Sequence, residues 1–172
     1  IAGIEANTMK AFVTDLMQEA AQTVTQLLGS KGYIMESIGG RGIMDSRAFQ
    51  IFEGSNEMLY TQITEYIGKL MKMKKEFNVY EFLKDFHLTD KASDYFKKEL
   101  NFDFTSGLNQ RKLIDLGREF SRIISFNYVL DMNEAGFRKD LVDSCAQILK
   151  LEVGQFINVF QSTNTVIHVE AY

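Results

Sequence analysis

The sequence predicts an all-α fold. Three observations support that prediction: apolar residues recur at spacings of three and four over long stretches, hydrophobic residues make up 45% of the 172 residues, and the chain contains no proline. Recurrence at three and four places apolar side chains on one face of a helix. Proline removes a helical hydrogen bond and clashes with the preceding turn, so its absence suits long helices.

The first predicted helix spans 1–28 and ends at Gly29, a typical residue after a helix C-terminus. The next segment, 29–44, is rich in glycine and is interpreted as a loop that packs onto other elements. A second helix is expected to begin near Asp45 or Ser46, which are both favourable N-cap types. The apolar stripe of the first helix contains Met9, Phe12, Val13, Leu16, Met17, Ala20, Val24, Leu27 and Leu28.

A break at Glu53-Gly54-Ser55-Asn56 separates the second helix from a third, which Ser55 or Asn56 can cap. The lysine-rich segment 72–78 then marks a change in character, and the chain is expected to divide there into 1–72 and 73–172. The third helix carries Leu59, Ile63, Ile67, Leu70 and Met71 on one face. Beyond the boundary, helices are predicted near 79–87, 91–101, 108–134 and 138–162, and the closing TVIHVEAY stays unassigned.

Composition excludes several classes of function. A net charge of −4 and a pI near 5.3 argue against nucleic acid as the main partner, because phosphate binding needs a basic face. No apolar run reaches the roughly 20 residues that a transmembrane helix needs. The segment 138–160 is amphipathic, but its polar face is mixed in sign, which favours bundle packing over membrane association. The single cysteine, Cys145, cannot form an internal disulfide, which indicates a reducing compartment.

Candidate metal and nucleophile sites are weak. His87 and His168 have no second ligand three or four residues away, so structural histidines are favoured and no metal site is predicted. Cys145 lies on an apolar helical stripe and is interpreted as a core residue. The glycine-rich segment matches neither a Walker loop nor a strand-led dinucleotide fingerprint, although Lys31 and Arg41 place positive charge beside its amides.

Glu53 is the remaining candidate, because it interrupts a helical pattern between Phe52 and Gly54. A general base works best when its pKa lies near the working pH, and apolar neighbours such as Phe49 and Phe52 would raise the pKa by desolvation. Gly54 allows a ligand to approach the backbone closely. From residue type alone, a solvated structural acid remains the more frequent alternative.

The segment QLLGSKGYIMESIGGRGIMDSRAFQIFEGSNEM resembles the C-terminal signature of the acyl-CoA dehydrogenase family. The resemblance covers about residues 1–72 and implies the second half of that family's C-terminal helical bundle, with 73–172 as an additional helical tail. Ser30, Met44 and Ser55 depart from the pattern. The matching residues are Gln26, Gly29, Gly32, Tyr33, Glu36, Arg41, Asp45, Arg47, Phe52, Glu53, Gly54 and Glu57.

The resemblance implies an FAD-dependent oxidation of an acyl-CoA thioester to the trans-2-enoyl-CoA in fatty acid β-oxidation. Glu53 would remove the α-proton, and the flavin would accept the β-hydrogen as hydride. Glu53 and Gly54 would contact the substrate, with the Glu53 backbone N–H helping to hold the thioester carbonyl. Asp45 and Arg47 match a pair that is interpreted as structural.

Two groups of residues match FAD-contacting positions of the family. Ser55 and Glu57 match positions that contact the bound flavin nucleotide. The other group lies at the end of the first predicted helix and matches a loop that contacts the adenine half of an FAD held mainly by a partner subunit. It consists of Gln26, Leu27, Leu28, Gly29 and Ser30.

The tail is similar in type to the extension of long-chain-specific members, which implies a homodimer. The resemblance also implies electron-transfer flavoprotein as the acceptor, and a location in the bacterial cytoplasm or the mitochondrial matrix. An N-terminal helical domain, a middle β-domain and the first bundle helices are expected upstream of Ile1. The chain by itself is therefore expected to bind no flavin tightly and to be inactive.

Two alternatives remain at this point. An acyl-CoA oxidase would share the fold and the base but pass electrons to oxygen. A non-catalytic helical module for oligomerisation or interaction would retain the signature without the activity, and the departures at Ser30 and Met44 favour that alternative.

Overall fold

A computed structural model describes residues 2–105 and 107–162, and over these residues the chain is all-α, as predicted. They contain no strand; a single isolated antiparallel bridge pairs Asn78 with Asp103. The α-helices are α1 (Ala2–Leu28), α2 (Ile38–Ile51), α3 (Asn56–Lys74), α4 (Val79–Lys84), α5 (Lys97–Leu100), α6 (Gln110–Glu134) and α7 (Lys139–Ser162), and the 3-10 helices are Gly29–Tyr33 and Ser93–Phe96. The unassigned TVIHVEAY lies outside the described residues.

The start of α2 was predicted wrongly. The helix begins at Ile38 and not near Asp45, because Ser37 caps it by accepting a hydrogen bond from the Gly40 N–H at 3.2 Å. The glycines that suggested a loop instead allow close packing. A Cβ at Gly40 would lie 2.4 Å from the carbonyl oxygen of Ile34, which no side chain can accommodate.

The apolar stripe of α1 has the predicted helical period, but it does not form the buried face. The buried positions of α1 are Ile4, Thr8, Ala11 and Gln18, and this small and polar row is the face buried in the described structure. Most of the predicted stripe is exposed, including Leu27, which is 81% exposed. The period therefore identified the helix, whereas packing against α2 and α3 buries a different face.

The hydrophobic core lies mainly between α3 and the elements that follow it. Leu59, Ile63, Ile67 and Met71 of α3 are buried as predicted. They share one core with α6, whose buried apolar residues are Leu116, Phe120, Ile123, Ile124, Phe126 and Leu130. Residues on both sides of the predicted boundary at 72 thus pack together, and the division into two regions stays a prediction.

Candidate functional site

The predicted break between α2 and α3 is a tight turn with left-handed backbone. Phe52 ends α2 in an extended conformation, Glu53 has φ 57° and Gly54 has φ 96°. The Ser55 hydroxyl then caps α3 by accepting from the Met58 N–H at 3.4 Å. A left-handed conformation costs an L-residue about 1–2 kcal/mol, so Glu53 occupies a position that local preference alone would give to glycine.

A polar cluster on α1 anchors this turn. The Lys10 ammonium donates to the Gly54 carbonyl oxygen at 2.8 Å and to Asn56 Oδ1 at 2.9 Å. The Asn56 amide in turn donates to the Ala11 carbonyl at 3.1 Å and to Asp15 Oδ1 at 2.6 Å. Asn56 is buried, so its side chain is held in one orientation by these contacts. We call Lys10, Asp15 and Asn56 the clamp.

Asp15 connects both helices that flank the turn. Gln50, near the end of α2, donates to Asp15 Oδ1 at 2.7 Å, and the Tyr60 hydroxyl in α3 donates to Asp15 Oδ2 at 2.6 Å. Burial, followed by the hydrogen bond to Asp15, raises the pKa of Tyr60 well above its usual range. Tyr60 therefore stays a hydrogen-bond donor at any physiological pH, and the carboxylate fixes the spacing of α2 and α3.

The predicted desolvation of Glu53 is not seen within the described residues, and it stays a prediction for the full-length protein. Glu53 is exposed, and Phe49 and Phe52 are 57% and 66% exposed rather than packed around it. The reason is that the outer face of α2 has no apolar neighbour in the described part of the chain. Gly54 and Ser55 are half-buried, and Glu57 is exposed in the first turn of α3.

The other predicted cofactor residues lie at a different place. Gln26, Leu27 and Leu28 form the last turn of α1, and Gly29 and Ser30 begin the 3-10 helix, with Gly29 at φ 55°. All five are exposed. Gln26 is sixteen residues beyond Lys10, the residue that contacts the Glu53 turn. At about 1.5 Å per residue that places the two regions roughly 24 Å apart along α1. The structure does not bring them together.

Sequence reasoning missed Lys10 and Asp15. Neither residue belongs to the apolar stripe from which the helix was predicted, and a lysine or an aspartate on a helix gives no local sign of a distant partner. The available signal was a row of polar residues on α1. Thr8, Asp15 and Gln18 recur at helical spacing, and such a row can supply hydrogen bonds to a helix break that packs against it.

The described residues contain no group of three metal-binding side chains, and none of their helices is long and apolar enough to cross a membrane. His87 is exposed and His168 lies outside the described ranges. Cys145 is half-buried against the core, and burial raises the pKa of its thiol. Packing against the core favours a structural role for Cys145.

Comparison with known proteins gives one family. Residues 1–68 match the model of the acyl-CoA dehydrogenase C-terminal domain. A protein named "Acyl-CoA dehydrogenase" from Bacillus subtilis (strain 168) is 34% identical over 65 residues, which cover 38% of this chain and 17% of the relative. No solved structure matches significantly. Residues 1–68 are therefore similar to the acyl-CoA dehydrogenase C-terminal domain, and their all-α fold agrees with that similarity.

Proposed function

We propose that this chain is the C-terminal part of an FAD-dependent acyl-CoA dehydrogenase, which oxidises an acyl-CoA thioester to the trans-2-enoyl-CoA. The observation that carries the proposal is the turn itself: an exposed carboxylate, Glu53, is held in left-handed backbone between two helices by buried polar contacts. Strained backbone that surrounding structure over-determines is typical of functional positions.

Glu53 acts as the base that removes the α-proton of the thioester. Its carboxylate projects from the turn without a described ion pair, so it is available to accept a proton. Its backbone N–H, together with the open approach at Gly54, supplies a donor for the thioester carbonyl, where negative charge develops. A bound FAD, which Ser55 and Glu57 would contact, would supply the acceptor for the β-hydrogen.

The residues around the turn fit the flat ring of a flavin and the acyl chain of a thioester. Phe49, Phe52 and Met58 are large apolar side chains that stay exposed next to Glu53. Covering them would remove water from around the carboxylate and leave its oxygens free to accept a proton from the substrate. Ser55 and Glu57, in the first turn of α3, would contact the flavin nucleotide.

The second group, residues 26–30, lies too far from the Glu53 turn along α1 to contact a flavin ring bound beside Glu53. We infer that Gln26, Leu27, Leu28, Gly29 and Ser30 contact the adenine half of an FAD that a second subunit holds. A homodimer would then carry two sites, each completed by the other subunit. Light scattering on the full-length protein tests this, and a monomer or a tetramer would contradict it.

The chain exposes many large apolar side chains, which supports its assignment as one part of a larger helical bundle. Monomeric proteins rarely expose many large apolar side chains close together, and where they do the surface often marks an interface. We expect the remaining family domains and the partner subunit to cover it, and we expect the isolated chain to bind no flavin tightly. The surface includes Val13, Leu16, Val24, Leu27, Tyr33, Ile34, Met35, Ile38, Met44, Phe49 and Phe52.

Anaerobic mixing of the full-length protein with acyl-CoA thioesters tests the reaction. We expect loss of the oxidised flavin absorbance and formation of the trans-2-enoyl-CoA. Reoxidation by electron-transfer flavoprotein but not by oxygen would support a dehydrogenase of β-oxidation, in the bacterial cytoplasm or the mitochondrial matrix. Rapid reoxidation by oxygen would indicate an oxidase, and a full-length protein without flavin would overturn the proposal.

A further inference from the structure

We propose that Lys10 is a positioning residue that holds the Glu53 turn in its left-handed conformation. The inference rests on the proposed function for its catalytic consequence, but its structural content stands on the described contacts. Lys10 lies on α1, 44 residues before Gly54, and reaches the turn through its ammonium group.

The Lys10 ammonium group contacts the residues before and after Ser55, the N-cap of α3. One hydrogen bond goes to the Gly54 carbonyl oxygen, which precedes Ser55, and the other to the Asn56 side chain, which follows it. A charged donor makes such bonds shorter and stronger than a neutral one. Rotation of the Gly54 peptide would break the first bond, so Lys10 opposes the backbone change that would release Glu53.

The partners of Lys10 are themselves fixed. Asn56 is 3% exposed and is held by the Ala11 carbonyl and by Asp15. Asp15 also receives the Tyr60 hydroxyl from the α3 face that packs toward α6. Lys10 is half-buried, and its ammonium group lies between two fixed acceptors, the Gly54 carbonyl oxygen and Asn56 Oδ1.

Loss of the ammonium group would remove this restraint while leaving the carboxylate in place. Glu53 would relax from left-handed backbone toward commoner conformations, because its φ of 57° is unfavourable for a residue with a Cβ. A displacement of about 1 Å at a reacting group lowers rates by roughly 100-fold. Groups that bind the rest of the thioester are untouched, so the effect should fall on kcat and not on KM.

Lys10→Met in the full-length flavoprotein tests the inference, because methionine keeps most of the aliphatic stem without the donors. Asn7→Ala is the matched control: Asn7 lies one turn earlier on α1 and donates to Gln62 of α3 at 3.0 Å, but it does not touch the turn. Lys10→Arg restores charge and donors and serves as the rescue variant.

The first readout is amide hydrogen exchange in peptides covering 55–60, which contain the Met58 and Leu59 N–H groups that donate to Ser55. This readout needs no activity. We expect roughly 10-fold faster exchange there in Lys10→Met, with Asn7→Ala like the wild type and Lys10→Arg in between. Unchanged exchange in Lys10→Met would overturn the proposal.

The second readout is flavin reduction by acyl-CoA. We expect kcat to fall roughly 10- to 100-fold in Lys10→Met at unchanged KM. A wild-type kcat alongside faster exchange would also overturn the positioning role, provided that Glu53→Gln abolishes reduction in the same assay. If Glu53→Gln reduces flavin normally, the base assignment fails instead, and the exchange result alone decides whether Lys10 holds the turn.

Discussion

The backbone of Gly117 in α6 lies directly against the carbonyl oxygen of Tyr60 in α3: a Cβ at position 117 would be 2.1 Å from that oxygen. This contact joins the tail to the helix that begins at the Glu53 turn. Arg118, the next residue, places its guanidinium 5.6 Å from the centre of the Tyr60 ring. Tyr60 also donates to Asp15, so the tail, α3 and the clamp meet at one side chain.

Gly117→Ala is expected to destabilise the protein by about 3 kcal/mol, because α6 must move away from α3 to admit the methyl group. Urea unfolding measures the effect. Gly42→Ala is the control, since the added Cβ would meet only the Ala21 Cβ at 3.8 Å. Replacing a helical glycine there should stabilise the protein by up to about 1 kcal/mol. Equal effects of the two substitutions would contradict the close approach.

Glu53→Gly is expected to be more stable than Glu53→Ala by about 1 kcal/mol. Left-handed backbone penalises alanine by about 1–2 kcal/mol, which exceeds the extra chain entropy that glycine loses on folding. The order should reverse at Glu65, an exposed position inside α3, where glycine is worse by about 1 kcal/mol. Thermal or urea unfolding of the four variants checks this. Alanine equal to glycine at position 53 would show that the turn is not strained.

Glu119 should make stability depend on pH. Its side chain in α6 is 1% exposed, and Oε2 has no hydrogen-bond partner within the described ranges. Burial raises the pKa of Glu119 to about 7, although the Arg122 guanidinium at 3.2 Å opposes the shift. The folded state thus binds the proton more tightly than the unfolded state, whose pKa is near its ordinary value.

The contribution of Glu119 to the free energy of unfolding is therefore fully present below about pH 4.5 and is lost as the pH rises through about 7. Titration of Glu119 should lower the free energy of unfolding by about 2–3 kcal/mol between pH 5 and pH 8. We expect Glu119→Gln to remove that decrease. Glu134→Gln, which removes an exposed carboxylate from the same helix, should leave the pH dependence unchanged. An identical pH profile for Glu119→Gln and the wild type would show that the buried carboxyl is already ionised.

Helix positions and the Glu53 break followed from local pattern. The period of α3 and the capping oxygen of Ser55 are encoded within a few residues, so the sequence was sufficient to predict them. The start of α2 was not, because its glycines serve contacts with the 3-10 helix and the Ile34 backbone rather than a flexible loop. The sequence alone does not distinguish a glycine that allows close packing from a glycine in a flexible loop.

The clamp could not be read from periodicity. Lys10 reaches an acceptor 44 residues away, and nothing in the local pattern of α1 specifies that contact. The apolar stripe of α1 is mostly exposed for a related reason: hydrophobicity marks a side chain that prefers burial but does not say which neighbour buries it. Leu27 and Tyr33 remain exposed in the described structure although both are strongly apolar in character.

The rate of flavin reduction in Glu53→Gln tests the central claim most directly. Glutamine keeps the shape of the side chain and cannot accept the α-proton, so reduction by acyl-CoA should slow by about 10²- to 10⁴-fold while flavin content stays normal. Glu65→Gln, an exposed acid elsewhere on α3, should reduce flavin at the wild-type rate. A wild-type rate in Glu53→Gln would contradict the assignment of Glu53 as the base.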